Sequence, residues 1–415
     1  VTKTMRTVVL AGALDTKAAE FAWVKALIEK QGVRTLVVDV GVLGEPGFKP
    51  DISREAVASA GEGDLDSLRR VRRRGEALDV MSRGLAVIAR RLYDEGELDA
   101  ILGMGGSGGT TVAAAGMRAL PLGLPKLMVS TIASGDVREI VGHADIVMLP
   151  SIVDVAGVNR ISAKIYANAA AAIVGMVRGE TPPIAEARPL VAASMFGNTT
   201  PCVDHARRLI EEQEFEVLVF HATGVGGQTM ERLISEGYIA GCLDVTTTEL
   251  ADEVCGGGAS AGPDRCLAAS RAGVPAVIAP GCVDMANFGA LESLPEKYRG
   301  RKLYQWAPTA TLLRTNIEEN QRIGEMIAAA ANAATAPVSI LLPLRGVSML
   351  DSAGGEFWDP AADAACFDAI KGNLRQDIPV IELAHNINDA PFAEAAAGAL
   401  LDLMRLSEGS EAAKP

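Results

Sequence analysis

The sequence predicts an α/β protein made of two related βαβ halves, each with a mainly parallel sheet, facing each other across a cleft. Three observations carry this. Short apolar runs alternate with helix-length segments along the 415 residues. A glycine-rich turn, Gly103-Met-Gly-Gly-Ser-Gly-Gly-Thr110, stands between strand-like Asp99–Leu102 and helix-forming Thr111–Met117. The order of elements in the first half then recurs beyond Gly179-Glu-Thr-Pro-Pro183, the clearest linker in the chain. The expected divisions are a first subdomain over 1–180 with an insertion at about 41–75, a linker over 181–189, a second subdomain over 190–407 and a frayed tail over 408–415.

In the first half, Arg6–Ala11 reads as a strand and Gly12–Lys17 as a turn into a helix from Ala18 to about Gln31. Arg34–Val40 is the second strand. A helix over Glu76–Tyr93 leads to the glycine turn, and Lys126–Thr131 and Asp145–Leu149 are further strands. A long Ala-rich helix is expected over Val155–Val177. In the second half, Val191–Thr200 repeats Val8–Lys17, placing Asn198 and Thr199 on Asp15 and Thr16. His221-Ala-Thr-Gly-Val-Gly-Gly-Gln228 overlays Gly103–Thr110 without a gap. Later strands are expected at Pro275–Ala279, Pro337–Leu342 and Asp377–Leu383, with a closing helix over Pro391–Leu406.

Composition narrows the function. No apolar run reaches the roughly 18 residues needed to span a bilayer. Six scattered cysteines form no C-x-x-C pair, so a reduced, cytoplasmic protein is expected. A net charge of −13 argues against a general nucleic-acid or anionic-membrane binder. The one basic run, Arg69-Arg-Val-Arg-Arg-Arg74, reads best as a solvated face.

A strand, a glycine turn and a helix start aim free backbone N–H groups at an anion. Gly105, Gly106, Gly108 and Gly109 let the main chain approach phosphate oxygens, and Ser107 and Thr110 add hydroxyls. The turn is neither a complete dinucleotide fingerprint nor a Walker loop. No acid closes the next strand, and Gly109 replaces the lysine. It reads as a phosphate grip or as a tight strand-to-helix connection. Lys17 at a helix start is unfavourable against the helix dipole unless an anion is present, while Asp15 and Thr16 suit an N-cap. Thr131, Ser134, Gly135 and Asp136 follow a strand end and belong to the same site. In the second half, His221 beside a glycine loop suits acid–base work, and Glu249 and Asp252 share one helical face. Each also has an ordinary structural reading, as a loop-bonded histidine or as dipole partners.

These blocks resemble one family: proteins related to the ATP-binding N-terminal domain of the tomato mosaic virus resistance protein. The residues that carry the resemblance are Gly105–Thr110, Ser130–Asp136, Asn159-Arg160, His221–Gly227, Thr246–Glu249, Ala261–Pro263, Asn287–Gly289 and Asn388-Asp389. The first loop departs from the family pattern at Ala13 and Ala18 but keeps Asp15, Thr16 and Lys17. The resemblance implies two Rossmann-like subdomains, ATP with Mg²⁺ in the first, and a homodimer.

The expectation is then an ATP-dependent enzyme of small-molecule metabolism. Asp15, Thr16, Lys17, Gly105–Thr110, Thr131, Ser134, Gly135 and Asp136 would hold ATP–Mg²⁺, with the metal ligands left open. Thr223, Gly224, Gly226, Gly227, Thr246, Thr247, Asp284 and Arg345 would hold a small carboxylate-type substrate, with His221, Glu249 and Asp252 as catalytic groups. The alternatives are a nucleotide-binding regulatory module without turnover, and an ATP-independent enzyme using His221 and Glu249. Neither a nucleic-acid nor a membrane partner is expected.

Overall fold

The structure, a computed structural model, describes residues 5–71, 73–180 and 187–411, with the side chains at 71 and 408–411 outside the description. The linker expected over 181–189 and the tail over 408–415 therefore fall largely outside the described residues. The chain divides into two compact units, Val1–Pro183 and Ile184–Pro415.

Unit 1 contains β1 (Thr7–Gly12), α1 (Ala18–Lys30), β2 (Arg34–Asp39), α2 (Arg54–Ala60), α3 (Leu65–Val71), α4 (Arg74–Asp94), β3 (Ala100–Gly105), α5 (Ser107–Arg118), β4 (Lys126–Ser130), α6 (Arg138–Val141), β5 (Val147–Pro150) and α7 (Ser162–Arg178). Its sheet runs in the order β2-β1-β3-β4-β5, and every pair is parallel. Parallel strands are buried on both faces, which is why β1 reads as an unbroken apolar run. Alternate β1 residues feed opposite cores. Val8 and Leu10 pack with α1 and α7, whereas Val9 and Ala11 pack with α2, α4 and α5. The expected insertion after β2 folds into α2 and α3. The last helix begins later than expected because Asn159 accepts the N–H groups of Ile161 and Ser162 and sets its start there.

Unit 2 contains β6 (Leu190–Met195), α8 (Thr200–Glu211), β7 (Glu216–His221), α9 (Val225–Ser235), β8 (Ile239–Thr246), α10 (Thr248–Cys255), α11 (Ala268–Ala272), β9 (Ala276–Gly281), β10 (Met285–Phe288), β11 (Leu303–Ala307), β12 (Ala310–Arg314), α12 (Ile317–Asn332), β13 (Val338–Pro343), α13 (Pro360–Asn373), β14 (Val380–Leu383) and α14 (Ala390–Glu411). The main sheet is parallel, in the order β14-β13-β9-β8-β6-β7. A small antiparallel sheet, β10-β12-β11, is an addition the sequence reading did not anticipate.

Read from its β7 edge, the second sheet repeats the first: β7-β6-β8-β9-β13 follows β2-β1-β3-β4-β5. The duplication therefore pairs β8, not β7, with β3. The gapless overlay of His221–Gln228 on Gly103–Thr110 is out of step, because β7 is an edge strand bonded only to β6 whereas β3 lies between β1 and β4. The topological partner of the Gly103–Thr110 turn is the Thr246–Glu249 segment that leads into α10.

Candidate anion-binding site

In unit 1 the strand order reverses between β1 and β3, and ligands of such sheets collect outside the strands' carboxyl ends at that point. A cavity of about 840 Å³ opens there. Asp15 and Thr16 from the β1 loop, Gly41–Leu43 from the β2 loop and Gly108–Gly109 from the start of α5 line it. Leu68, Leu78, Met81 and Val112 supply apolar walls.

The start of α5 is open to an anion. Its N-cap, Gly106, offers no side chain, and no acid sits in the first turn. The first main-chain bond into this turn is Thr110 N to Gly106 O at 2.9 Å, so Ser107, Gly108 and Gly109 donate to nothing within the helix. Gly108 is also close to Arg74: a Cβ built there would stand 3.4 Å from the guanidinium Nη2.

Arg69 and Arg73 line the same cavity as Arg74; Arg70, Arg73 and Arg74 are exposed, as a solvated face requires, and three arginines of the run also border this opening. Arg69 lies in the last turn of α3, Arg73 is the N-cap of α4, and Arg74 opens α4. All three side chains border one opening. Arg69 donates from Nε to Val42 O (2.7 Å), and its buried Nη2 has no partner. Glu76 stands in the first turn of α4, whereas the first turn of α5 has no acid, so a cation beside the start of α5 favours an added anion there. Arg72 lies outside the described residues.

Asp15 ties the loops together. Its Oδ2 accepts from Leu43 N (2.8 Å) and Gly44 N (3.2 Å), and its buried Oδ1 has no partner. Gly41 makes the approach possible, since a Cβ there would lie 2.7 Å from the Asp15 carboxylate. Asp39, at the end of β2, accepts from Leu14 N and Gly41 N through Oδ1 and has Oδ2 unpartnered. Burial, the largest influence, raises its pKa, and the charge of Asp15 adds to the rise.

Other expected nucleotide contacts stand elsewhere. The Lys17 ammonium donates to Val155 O, and Lys17 is absent from the residues lining the cavity. Thr110 Oγ1 is buried against Ser130 Oγ (2.7 Å), holding α5 to β4. Thr131 and Ser134 line a separate cavity of about 400 Å³ with Ser151–Asp154. Gly135 closes a turn onto Ile132 O, and Asp136 is an exposed ion pair with Arg138, which holds its carboxyl down at about 2.

In unit 2 the glycine turn after β7 does hold an anion, but a built-in one. Glu249 Oε1 accepts from Gly224 N (2.7 Å) and Gly227 N (3.0 Å), and its Oε2 accepts from Arg265 Nε (2.6 Å). Glu249 is fully buried, and both its oxygens are taken up by these bonds. Gly226 is partly exposed and is held to glycine by packing, since a Cβ there would lie 1.8 Å from His221 O. Asp252 accepts from Ala259 N, Asn287 N and Asn287 Nδ2, and burial pushes its carboxyl up to about 7. Thr246 bonds Thr199 (2.8 Å) and Thr247 bonds Ala279 O (3.1 Å), both fully buried. Asp284 is buried beneath Ser348 (2.8 Å). His221 is exposed and stacked on Phe196 at 5.3 Å, while Thr223 and Arg345 are exposed. The three groups expected to be catalytic thus include two carboxylates consumed by the fold.

Models of the two halves of one family match the chain: the N-terminal domain of Uncharacterised protein family UPF0261 over residues 6–182, and its C-terminal domain over 188–404. The chain belongs to the UPF0261 family. A UPF0261 protein of Clostridium tetani is 46% identical over 398 residues, which is 96% of this chain and 98% of that protein. One from Rhizobium meliloti is 44% identical over 401 residues, covering 96% and 99%. The ToMV resistance protein Tm-1(GCR237) of Solanum lycopersicum is 38% identical over 340 residues, covering 80% of this chain and 45% of its own length. Among the described residues, no helix is long and apolar enough to cross a membrane, and no group of three or more His, Cys, Asp or Glu side chains could hold a metal. The six cysteines are all free and buried.

Proposed function

We propose that this UPF0261 protein binds a nucleoside polyphosphate, ATP with Mg²⁺ foremost, in the 840 Å³ cavity of unit 1, and uses it in phosphoryl or adenylyl transfer to a small carboxylate-type metabolite. One observation carries the binding step: Arg74 sits against the positive end of α5, beside Gly108, with Arg69 and Arg73 lining the same space. An anion bound there would be favoured by those charges and by the free N–H groups of α5. The apolar walls suit a base, and the arginines suit phosphate through bidentate hydrogen bonds. Mg²⁺ is commonly held by one or two carboxylates together with the substrate's phosphates, and Asp15, with its unpartnered Oδ1 in the lining, fits that role. When bound, the metal would offset charge on the phosphates. The arginines and the N–H groups of Ser107, Gly108 and Gly109 would orient and stabilise the transferred group.

A second reading, nucleotide binding without turnover, is favoured by the engagement of Glu249 and Asp252 within unit 2. The same engagement weighs against an ATP-independent enzyme using His221 and Glu249. Thermal unfolding with ATP, ADP, AMP and inorganic phosphate, each with Mg²⁺, tests the binding step. Stabilisation that grows with phosphate number supports it, and no shift with any nucleotide refutes it. ATP consumption stimulated by a metabolite mixture then separates enzyme from regulatory module.

A further inference from the structure

Unit 2 carries a set of buried oxygens that its own hydrogen bonds leave unanswered. Asn198 in the loop after β6 is 1% exposed, and its Oδ1 has no partner. Asp284, three residues beyond β9, is fully buried and has Oδ1 unpartnered. Asn388, beyond β14, has its Oδ1 buried and unpartnered as well. All three lie past the carboxyl ends of parallel strands of one sheet, where such folds place ligands.

Hydrogen bonds and chain neighbours tie the three positions together. The Asn198 carbonyl accepts both Asn388 Nδ2 (2.9 Å) and Met349 N (3.1 Å). Asn198 Nδ2 points at Met285 Sδ (3.4 Å), on the residue next to Asp284. Ser348, adjacent to Met349, donates to Asp284 Oδ2 (2.8 Å). In each amide the donor end is engaged and the acceptor end is left over. What these residues lack is a donor or a positive charge.

Charge decides between the two. Asp284, Asp351 and Asp363 are all buried, and the cation the structure sets among them is Arg314, 2.8 Å from Asp363 and 3.6 Å from Asp351. A water would satisfy lone pairs but offset none of the carboxylate charge, which is costly in a dry interior. A hard cation satisfies both, because carboxylate and amide oxygens are its usual ligands. The first half offers a parallel. Asp15, on which Asn198 falls in the sequence repeat, also has an unpartnered buried oxygen after the first strand of its sheet.

We infer that Asn198, Asp284 and Asn388 form a site for a small hard cation at the strand ends of unit 2, separate from the nucleotide cavity of unit 1. The test uses the full-length protein freed of metal with chelator, with no nucleotide present. Thermal unfolding and calorimetric titration are run with sodium, potassium, ammonium, magnesium and calcium chlorides in separate arms, with tetramethylammonium chloride holding ionic strength. At least one small cation should raise Tm saturably where tetramethylammonium does not. Asn198→Ala and Asn388→Ala should each weaken that binding at least about tenfold, the loss of one ligand. Asn388→Asp, which keeps the oxygen and adds charge, should retain or tighten it. Asp15→Ala should leave it unchanged, which separates this site from magnesium bound in unit 1. Circular dichroism of the variants confirms that they fold. No cation-specific stabilisation, or stabilisation indifferent to both alanine variants, overturns the assignment and leaves buried water as the occupant.

Discussion

Glu249 Oε1 and Gly227 N are joined by a 3.0 Å hydrogen bond that turns a glycine loop into a closed structural joint. The start of α9 has the same needs as the start of α5: backbone N–H groups with no acceptor in their own helix. Unit 2 answers them with a carboxylate of α10, whose charge Arg265 balances from the far side. Among the described residues of unit 1 no acid stands in the first turn of α5, and arginines gather there instead. One local motif thus serves a structural end in one unit and, on our reading, a ligand in the other.

Gly227→Ala tests the joint. The added Cβ would stand 2.1 Å from Glu249 Oε2 and 2.5 Å from Oε1, and Glu249 is buried and bonded on all sides. Overpacking of this kind costs about 2–3 kcal/mol. Gly175→Ala in α7 is the control, because nothing lies within 4 Å of its Cβ position and a helix interior favours alanine by about 0.5–1 kcal/mol. Denaturant unfolding should show opposite signs for the two variants.

Arg69→Ala and Arg74→Ala should each weaken ATP binding about 10- to 100-fold, the worth of a hydrogen bond from a charged donor. Affinity should also depend less on salt in both variants. Lys17→Ala should leave nucleotide affinity within about threefold of the parent, since its ammonium is held by Val155 O rather than by the cavity. Titration of a fluorescent ATP analogue ranks the three. A large loss in Lys17→Ala with none in Arg74→Ala would invert the assignment.

The strands of both sheets were legible because fully buried parallel strands, such as Thr7–Gly12 and Ala100–Gly105, are apolar without alternation. The glycine turn was legible for the same local reason. What escaped was long-range. His221–Gln228 and Gly103–Thr110 have nearly the same local signature, but hydrogen bonding puts one beside an edge strand and the other in mid-sheet. The arginine run shows a related limit. A count of charges cannot tell which way they face, and it is the tertiary structure that sets Arg69, Arg73 and Arg74 around one opening. Glu249 and Asp252 were read as helix-start acids of possible chemical use, and their burial came from partners far away in sequence.

Asp252 makes stability depend on pH. Its carboxyl titrates near 7 in the folded protein, through burial, against 3.8 as its ordinary value. Between those values the folded state keeps a proton that the unfolded state has released. Stability from this group is therefore greatest at low pH, falls as pH rises through the window and levels off above about 7. Asp252→Asn cannot titrate, so its stability relative to the parent should improve steadily from about pH 4 to about pH 7 and then hold constant. A difference that stays flat across that window would show that Asp252 ionises normally in the fold.

Arg265 is the charge on which the Glu249 joint depends. Fully buried, it contacts Asp244 at 2.5 and 2.7 Å, Glu249 at 2.6 Å and Glu231 at 3.0 Å. Removing it leaves three acids without a counter-charge, which costs about 3–5 kcal/mol where a buried pair is broken. Arg265→Met keeps much of the volume and isolates that electrostatic loss. Acids stranded in this way resist ionisation, so the variant should lose more stability than the parent as pH rises from about 5 to about 8. Hydrogen exchange should then rise first at Gly224 and Gly227, whose N–H groups Glu249 holds. If Arg265→Met unfolds with the parent's pH profile and leaves those two amides protected, the joint does not depend on the arginine.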